Sequence, residues 1–366
     1  MQNKSKPEWI PDNAGNEYTT SIMPGIKDIK HKSKPGKTAK HLTVDDYTNG
    51  ILAGNITILS KAITLIESNA QRHYHLAQDV LKNVLPYSGN SIRIGVTGSP
   101  GAGKSTLIES LGLKLIKNGL KVAVLAIDPS STVTHGSILG DKTRMESLSQ
   151  ETRAFIRPSP SSGTLGGVTR KTRETMLLCE AAGYDVILIE TVGVGQSETT
   201  VRSMVDFFML LLLPEAGDEL QGIKKGVVEL ADLLVVNKAE AQNKMRAELT
   251  QRAYSNALSL LQPATKGWSP KVLTCSAVEE TGIWEIWSAV NEFRLITEDS
   301  GIFRERRQKQ LLDWVDTMLN DGLQRMFFDN PLIKSKYKIC QEAVLKGTMT
   351  PSQSVFDLLE IFRKTK

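Results

Sequence analysis

The residues best suited to chemistry lie in one glycine-rich stretch, GSPGAGKS at 98–105. It fits the pattern G-x4-G-K-[ST] in full, and it stands between an apolar run and a helix pattern with one apolar stripe. Glycines in such a turn let backbone N–H groups converge on phosphate oxygens, and the helix N-terminus adds a favourable potential. We predict that Lys104 reaches the β- and γ-phosphates and that the Ser105 hydroxyl binds Mg²⁺. The predicted nucleotide contacts are Gly98, Pro100, Gly101, Ala102, Gly103, Lys104, Ser105 and Thr106.

Acidic residues follow two further apolar runs. Asp128 ends KVAVLAID and Glu190 ends DVILIE, while Asp141 lies thirteen residues after Asp128 in a loop-like stretch. Because the carboxyl ends of strands face the ligand crevice of an open α/β sheet, Asp128 and Glu190 are predicted to act on Mg²⁺ or its water. On local sequence Asp128 and Asp141 could each ligate Mg²⁺, orient water on it or cap a helix, and the metal-site interpretation is favoured for Asp128.

The residues after Glu190 predict a slow hydrolase. We expect the N–H of Gly193 to lie close enough to sense the γ-phosphate, so Lys104, Glu190, Asp128 and Gly193 are the candidate catalytic residues. Val194 stands where small Ras-like switches carry a water-positioning Gln. Intrinsic hydrolysis should therefore be slow, and a partner or a conformational change should raise it.

The sequence VVNKAE indicates which base is bound. Asn237, Lys238 and Glu240 are close to the N-K-x-D motif, whose acid accepts two hydrogen bonds from guanine N1–H and N2–H. Adenine lacks this donor pair. Ser276 and Ala277 end the next apolar run, where a Ser-Ala loop commonly closes over guanine. The alternative interpretation is a helix cap followed by an exposed acid, but the order of the two motifs favours a guanine site.

Composition favours a globular protein whose basic charge is concentrated in a tail. Of the 366 residues, 40% are hydrophobic and 23% are charged, as in ordinary globular proteins. Residues 1–40 hold eight Lys and four acids, so they supply four of the five net positive charges. The nearly neutral remainder argues against nucleic-acid binding. Three well separated cysteines without a C-x-x-C pair fit a reducing cytoplasm.

The apolar patterns predict an α/β fold with a doubly wound, mostly parallel sheet. Continuous Val/Ile/Leu runs are typical of strands covered on both faces, and FFMLLLL at 207–213 is too short to cross a bilayer. Helical spacing predicts one helix over Ile51–Ile66 and a second around Tyr74–Leu85. We divide the chain into a disordered Lys-rich tail (1–41), an N-terminal helical region (42–90), a nucleotide-binding core (91–297) and C-terminal helices (298–366).

The order of the motifs along the chain resembles one family. GSPGAGKST, DPSS, GSILGDKTRM, ETVGVGQSE, GDELQGIKKG, NKAE and SA are similar to those of the MeaB/ArgK-type GTPases. These are methylmalonyl-CoA mutase-associated members of the SIMIBI class of P-loop GTPases. The resemblance covers about 42–366, and the one departure is Glu240, where Asp is usual.

The resemblance implies more than the patterns do. Such proteins are GTPase chaperones that gate adenosylcobalamin delivery to a B12-dependent acyl-CoA mutase and protect it. They are homodimers whose C-terminal helices form an arm. The family implies that Asp128, Asp141 and Glu190 surround Mg²⁺ and the attacking water. The loop at 214–226, which local sequence marks only as a polar connection, then becomes a switch that couples the mutase to hydrolysis through Asp218, Gln221 and Lys224.

Two other functions stay open on the sequence. The first is an ATP-dependent kinase or ATPase, as the family's older label of arginine/ornithine transport kinase suggests, and preference for ATP over GTP would favour it. The second is a GTPase that inserts nickel into an enzyme. Such proteins usually carry Cys/His ligands near the phosphate loop, whereas the five His of this chain are scattered.

Overall fold

The predicted apolar runs form one sheet in the computed structural model, which describes residues 42–68, 70–127, 145–158, 165–191, 197–214 and 225–364. The strands of this described part are β1 (Ile92–Gly98), β2 (Val122–Ile127), β3 (Ala154–Pro158), β4 (Val186–Thr191), β5 (Phe207–Leu212), β6 (Leu233–Val236) and β7 (Lys271–Thr274). Their order is β3-β2-β4-β1-β5-β6-β7, and every neighbouring pair is parallel. The predicted doubly wound parallel sheet is confirmed.

Helices cover both faces of the sheet. The helices between the strands are α4 (Lys104–Lys117), α5 (Glu146–Ser149), α6 (Leu165–Ala181), α7 (Ser197–Arg202), α8 (Lys225–Leu230) and α9 (Lys244–Ser259), and α10 (Ile283–Asp299) follows the last strand. Alternate strand residues point to opposite faces, so Leu188 packs into one apolar cluster and its neighbour Ile189 into the other. Burial on both faces explains why the strands are continuous apolar runs.

The N-terminal region differs from its predicted helices. The structure has α1 (Val44–Leu52), α2 (Ile56–Glu67) and α3 (Gln71–Val84), so the single helix predicted over Ile51–Ile66 is wrong. Gly54 adopts a φ of +69°, which ends α1, and the Asn55 side chain accepts hydrogen bonds from Thr57 N–H and Ile58 N–H to begin α2. The apolar spacing continues across the break because both helices pack on the same side of the sheet.

The C-terminal part contains α11 (Ile302–Asp329), α12 (Pro331–Leu345) and α13 (Pro351–Lys364). Ion pairs join the first turns of α11 to two buried aspartates at the starts of strands. Arg307 lies 2.6 Å from Asp206, which precedes β5, and Arg306 lies 3.7 Å from Asp232, which precedes β6. Because the strands are parallel, these ion pairs lie at the amino ends of the strands, opposite the phosphate loop.

The most apolar run of the sequence is β5, near the middle of the sheet. Its residues are at most 1% exposed, as the sequence predicted for a buried strand. Within the described ranges, we find no helix with the length and apolar character needed to cross a membrane.

Candidate nucleotide site

The phosphate loop, residues 98–105, connects β1 to α4, and its backbone adopts conformations that favour glycine. Gly98 and Gly103 have φ values of +150° and +87°. A Cβ atom on Gly98 would lie 2.5 Å from the carbonyl oxygen of Leu211, and one on Gly103 would lie 2.5 Å from Nδ2 of Asn237. A side chain at either position would therefore clash as well as strain the backbone. The loop places the N-terminus of α4 at the carboxyl end of the sheet, where anions are favoured.

Lys104 is the first residue of α4, and its ammonium group lies over the loop. Its Nζ donates hydrogen bonds to the carbonyl oxygens of Gly98 at 2.9 Å and Ser99 at 3.2 Å. Only 7% of the residue is exposed, so its charge is concentrated at the loop rather than in solvent. This position gives the loop a cation suited to phosphate oxygens.

Ser105 and Glu190 form the polar pair beside the loop. The Ser105 hydroxyl donates to Oε1 of Glu190 at 2.9 Å, and Glu190 is 8% exposed. Glu190 pairs in register with Val96 of β1, so the strand order brings its carboxylate to the start of α4. A hydroxyl and a carboxylate oxygen in contact are the hard oxygen donors that Mg²⁺ prefers, so the residues present fit this ion.

Asn237 connects the phosphate loop to the Ser-Ala loop. Its Nδ2 donates to the carbonyl oxygen of Ala102 at 2.8 Å, and its Oδ1 accepts from Ala277 N–H at 3.1 Å. The thiol of Cys275 also donates to Oδ1 at 3.3 Å. Burial, with a smaller effect of Glu240, raises the pKa of Cys275 to about 12, so the thiol keeps its proton and remains a donor.

Cys275 was not among the candidate residues from the sequence. Its position directly before Ser-Ala could have suggested a contact with the N-K-x-E motif, but only the structure shows that it contacts Asn237. A buried pair of hydroxyls was also missed. Thr191 donates to Thr97 at 2.9 Å and joins the carboxyl ends of β4 and β1 behind the loop.

The acid of the N-K-x-E motif is held by the Ser-Ala loop. Ser276 donates its hydroxyl proton to Oε1 of Glu240 at 3.0 Å and accepts from Glu279 N–H at 3.0 Å. Lys238 is exposed and has a φ of +61°, a conformation uncommon outside glycine and asparagine. Glu240 and Ser276 therefore lie together at the carboxyl ends of β6 and β7.

Several predicted residues lie outside the described part of the chain: Asp128, Asp141, Gly193, Asp218, Gln221 and Lys224. Asp128 follows directly after β2, and Gly193 lies two residues after β4. Their predicted roles stay predictions. In the residues that the structure does describe, no group of three or more His, Cys, Asp or Glu side chains is arranged to hold a metal ion.

Comparison with known proteins gives one consistent set of relatives. The family model of the methylmalonyl Co-A mutase-associated GTPase MeaB matches residues 59–331. A probable GTPase of Mycobacterium tuberculosis is 50% identical over 88% of this chain and 96% of its own length. GTPase ArgK of Escherichia coli is 48% identical over 88% of this chain and 97% of its own.

A eukaryotic relative and a solved structure extend the likeness. The methylmalonic aciduria type A homolog, mitochondrial, of Mus musculus is 44% identical over 87% of this chain and 80% of its own length. The crystal structure of a LAO/AO transport system kinase superposes with a TM-score of 0.71 and 40% identity. That alignment covers 87% of this chain and 97% of the other.

Proposed function

Because the chain belongs to the methylmalonyl-CoA mutase-associated GTPase family MeaB, we propose that it is a GTP-driven chaperone of a B12-dependent acyl-CoA mutase. The chain is a GTPase and hydrolyses GTP to GDP and phosphate. In the proposed role, this hydrolysis gates the loading of adenosylcobalamin onto the mutase and protects or reactivates it. The match over 59–331, which includes both the phosphate loop and the N-K-x-E motif, is the main support.

Guanine selection is assigned to Glu240. Its Oε1 is positioned by the Ser276 hydroxyl, while Asn237 fixes the neighbouring loops. A carboxylate held in this way can accept hydrogen bonds from guanine N1–H and N2–H. Glu240 has one more methylene than the usual Asp, and the hydrogen bond from Ser276 limits the freedom that this methylene adds. We expect GTP to compete strongly against ATP, with Lys238 lying along the base and the loop of Ser276 and Ala277 closing over it.

The reaction itself is assigned to the phosphate loop and its neighbours. Ser105 and Glu190 would hold Mg²⁺ directly or through water, together with Asp128 and Asp141. Bound Mg²⁺ would neutralise charge on the phosphates. Lys104 binds phosphate oxygens, and the N–H of Gly193 senses the γ-phosphate. Thr106 and the remaining loop residues orient the phosphate chain through backbone N–H groups.

Coupling to the mutase requires a difference between nucleotide states. A ligand shifts a conformational equilibrium only through its differential affinity for the two states, and the γ-phosphate is the main difference between GTP and GDP. We assign the response to the segment after Glu190 and to the switch residues Asp218, Gln221 and Lys224. With Val194 in place of a water-positioning Gln, turnover of the isolated protein should be slow.

A homodimer is proposed from the exposed face of α11. Large apolar residues recur there at intervals of three or four and lie 51–67% exposed, namely Leu312, Val315, Leu319, Leu323 and Met326. Such a stripe lies on one side of a helix and packs well against a second copy of itself. Leu319→Asp combined with Leu323→Asp should give a monomer in analytical ultracentrifugation. Leu260→Asp, at an exposed position after α9, is the matched control and should not.

The experiment that tests the chaperone role measures GTP turnover with and without the B12-dependent mutase. We expect slow GTP turnover by the protein alone and a rise of at least about tenfold with mutase. In other GTPases a partner raises the rate by supplying a positive charge that stabilises the transition state. A second measurement follows the transfer of adenosylcobalamin to the apo-mutase in the presence of GTP and of GDP. Equal turnover and equal transfer in all conditions would reject the chaperone role while leaving GTP hydrolysis intact. Fractionation of host cells would test the proposed cytoplasmic location.

The two alternative functions are not favoured. The relatives named as GTPases and the N-K-x-E constellation argue against an ATP-dependent kinase. Nickel insertion has no support from the described residues, which offer no Cys/His cluster at the phosphate loop.

A further inference from the structure

A cavity of about 280 Å³ lies where α6, the end of α7 and α11 meet, apart from the nucleotide site. Its lining includes Arg170, Arg173, Ser203, Trp314, Thr317 and Asp321. The volume corresponds to roughly nine water molecules at about 30 Å³ each, enough for a small metabolite. None of these residues takes part in the proposed reaction.

Arg173 places a buried positive charge at the cavity and forms no ion pair within the described ranges. The residue is 7% exposed, and its guanidinium donates to the carbonyl oxygens of Gln310 and Ser203 and to the Ser203 hydroxyl. These acceptors are all neutral, and no carboxylate within the described ranges lies within ion-pair distance of it. Burial and the nearby charge of Arg93 lower the pKa of Arg173 to about 10, while the more weakly acting Asp313 opposes this shift, so the guanidinium stays charged at neutral pH. Buried charges are usually paired because burial without a counter-charge is costly.

Two buried N–H groups at this cavity also lack an acceptor among the described residues. They are Nε of Arg173 and Nε1 of Trp314, whose ring lies 5.6 Å from the guanidinium carbon of Arg173. Buried donors are nearly always hydrogen-bonded, to protein, water or ligand. The guanidinium of Arg173 and these two N–H groups lie at one cavity, so they point to a bound ligand that carries a negatively charged hydrogen-bond acceptor.

The cavity lining also contains a carboxylate, that of Asp321. Asp321 lies seven residues after Trp314 on α11, two helical turns or about 10 Å along the axis. This carboxylate would repel a polyanion that filled the cavity, whereas a ligand with one anionic head could donate a hydrogen bond to it from a hydroxyl or amino end. Arg170 is already ion-paired with Glu174, so Arg173 is the residue left for the head group.

We propose that this cavity binds a small metabolite with one carboxylate or phosphate head, held by Arg173 and Trp314, and an amino or hydroxyl end toward Asp321. A ligand bound there would affect the contact between the nucleotide-binding core and the first of the C-terminal helices, α11. Ser203, which accepts from Arg173, follows α7, and Gln310 on α11 donates to Val205 in the same turn. A bound anion would therefore stabilise the contact of α11 with the turn that follows α7.

The test uses the full chain labelled with 5-fluorotryptophan, so that each of its five Trp gives one ¹⁹F resonance. The probes are 4-aminobutyrate and phosphoethanolamine, with KCl at equal ionic strength as the blank. We expect at least one probe to shift the Trp314 resonance saturably and to raise Tm. The head group of the effective probe distinguishes carboxylate from phosphate. If neither probe moves this resonance beyond the KCl blank, the proposal is overturned.

Variants separate this site from general stability. Arg173→Gln should abolish the shift, while Arg246→Gln, at an exposed position on α9, should preserve it. Trp314→Phe keeps an aromatic ring beside Arg173 but removes the N–H, so the Tm response should need about tenfold more probe. GTP affinity should be unchanged in Trp314→Phe, which confirms folding. A shift that survives in Arg173→Gln would also overturn the proposal.

Discussion

Nδ2 of Asn237 donates a hydrogen bond to the carbonyl oxygen of Ala102 at 2.8 Å, which ties the base-binding motif to the phosphate loop. The same side chain accepts from Ala277 N–H, so one residue, 2% exposed, connects three loops. The phosphate-binding loop and the base-binding loops are thus connected by direct hydrogen bonds within the protein itself.

Asn237→Ala should weaken both GTP and GDP binding. Removing the side chain takes away the hydrogen bonds that it makes to the Ala102 carbonyl and the Ala277 N–H. The expected cost is about 1–3 kcal/mol of binding free energy, which corresponds to an increase in Kd of about 5- to 150-fold. Fluorescent-nucleotide titration measures the change. Asn243→Ala is the control, because the Asn243 side chain makes no cap hydrogen bond at the start of α9. Equal affinities for wild type and Asn237→Ala would contradict the linkage.

Gly103→Ala should abolish nucleotide binding without unfolding the sheet. The added Cβ would lie 2.5 Å from Nδ2 of Asn237, and the φ of +87° disfavours any L-residue. We expect affinity to fall by at least about 100-fold, a loss of about 3 kcal/mol. Gly322→Ala, in the middle of α11 with open space around its Cβ, should bind normally. Calorimetric titration with GDP compares the two.

Glu190→Gln should reduce the dependence of nucleotide affinity on Mg²⁺. Gln keeps a hydrogen-bond acceptor for the Ser105 hydroxyl but removes the negative charge from the proposed metal site. A loss of about 10- to 100-fold in metal affinity or hydrolysis is expected. The measurement is GDP affinity across a Mg²⁺ titration. Retention of the full Mg²⁺ effect would exclude Glu190 from the site.

Asp206→Asn should destabilise the protein at neutral pH but not in acid. Burial alone would raise the pKa of Asp206, but Arg307, with Arg93, outweighs it and holds this pKa below its ordinary value. The carboxylate therefore contributes stability above the unfolded pKa of about 3.9, and this contribution is lost as pH falls through the folded pKa. We expect about 3 kcal/mol less unfolding free energy at pH 7.

Urea denaturation at several pH values between 7 and 3 measures this difference. Asp299→Asn, at an exposed position ending α10, should change little at any pH. A difference between wild type and Asp206→Asn that stays constant down to pH 3 would contradict the assigned origin.

Cys275 should resist thiol reagents in the folded protein. With a pKa of about 12, roughly one thiol in 10,000 is ionised at pH 8, and the thiolate is the reactive form. Burial raises the pKa of Cys179 as well, and all three cysteines are buried. Mass spectrometry after iodoacetamide treatment should find Cys275 unmodified in native protein and modified in urea. Rapid native labelling would show that the Asn237 contact opens frequently.

Local sequence was enough to predict the strands, the turn of the phosphate loop and the parallel α/β fold, because continuous apolar runs and glycine positions act over a few residues. It failed at Gly54, where one φ value divides a continuous apolar pattern into two helices. For α11, periodicity predicted a helix but not its anchors, the buried carboxylates of Asp206 and Asp232.

The contacts that build the site were decided by tertiary structure. Ser105 and Glu190 are 85 residues apart, and Asn237 and Ala102 are 135 apart, so no local pattern encodes their distances. They meet because β1 lies between β4 and β5 while β6 follows β5, which brings the carboxyl ends of these strands to one edge. The charge of Arg173 likewise became informative only when packing removed it from water and left it without an ion pair in the described chain. Residue types were set by the sequence, and their partners by the order of the strands and the burial that follows from it.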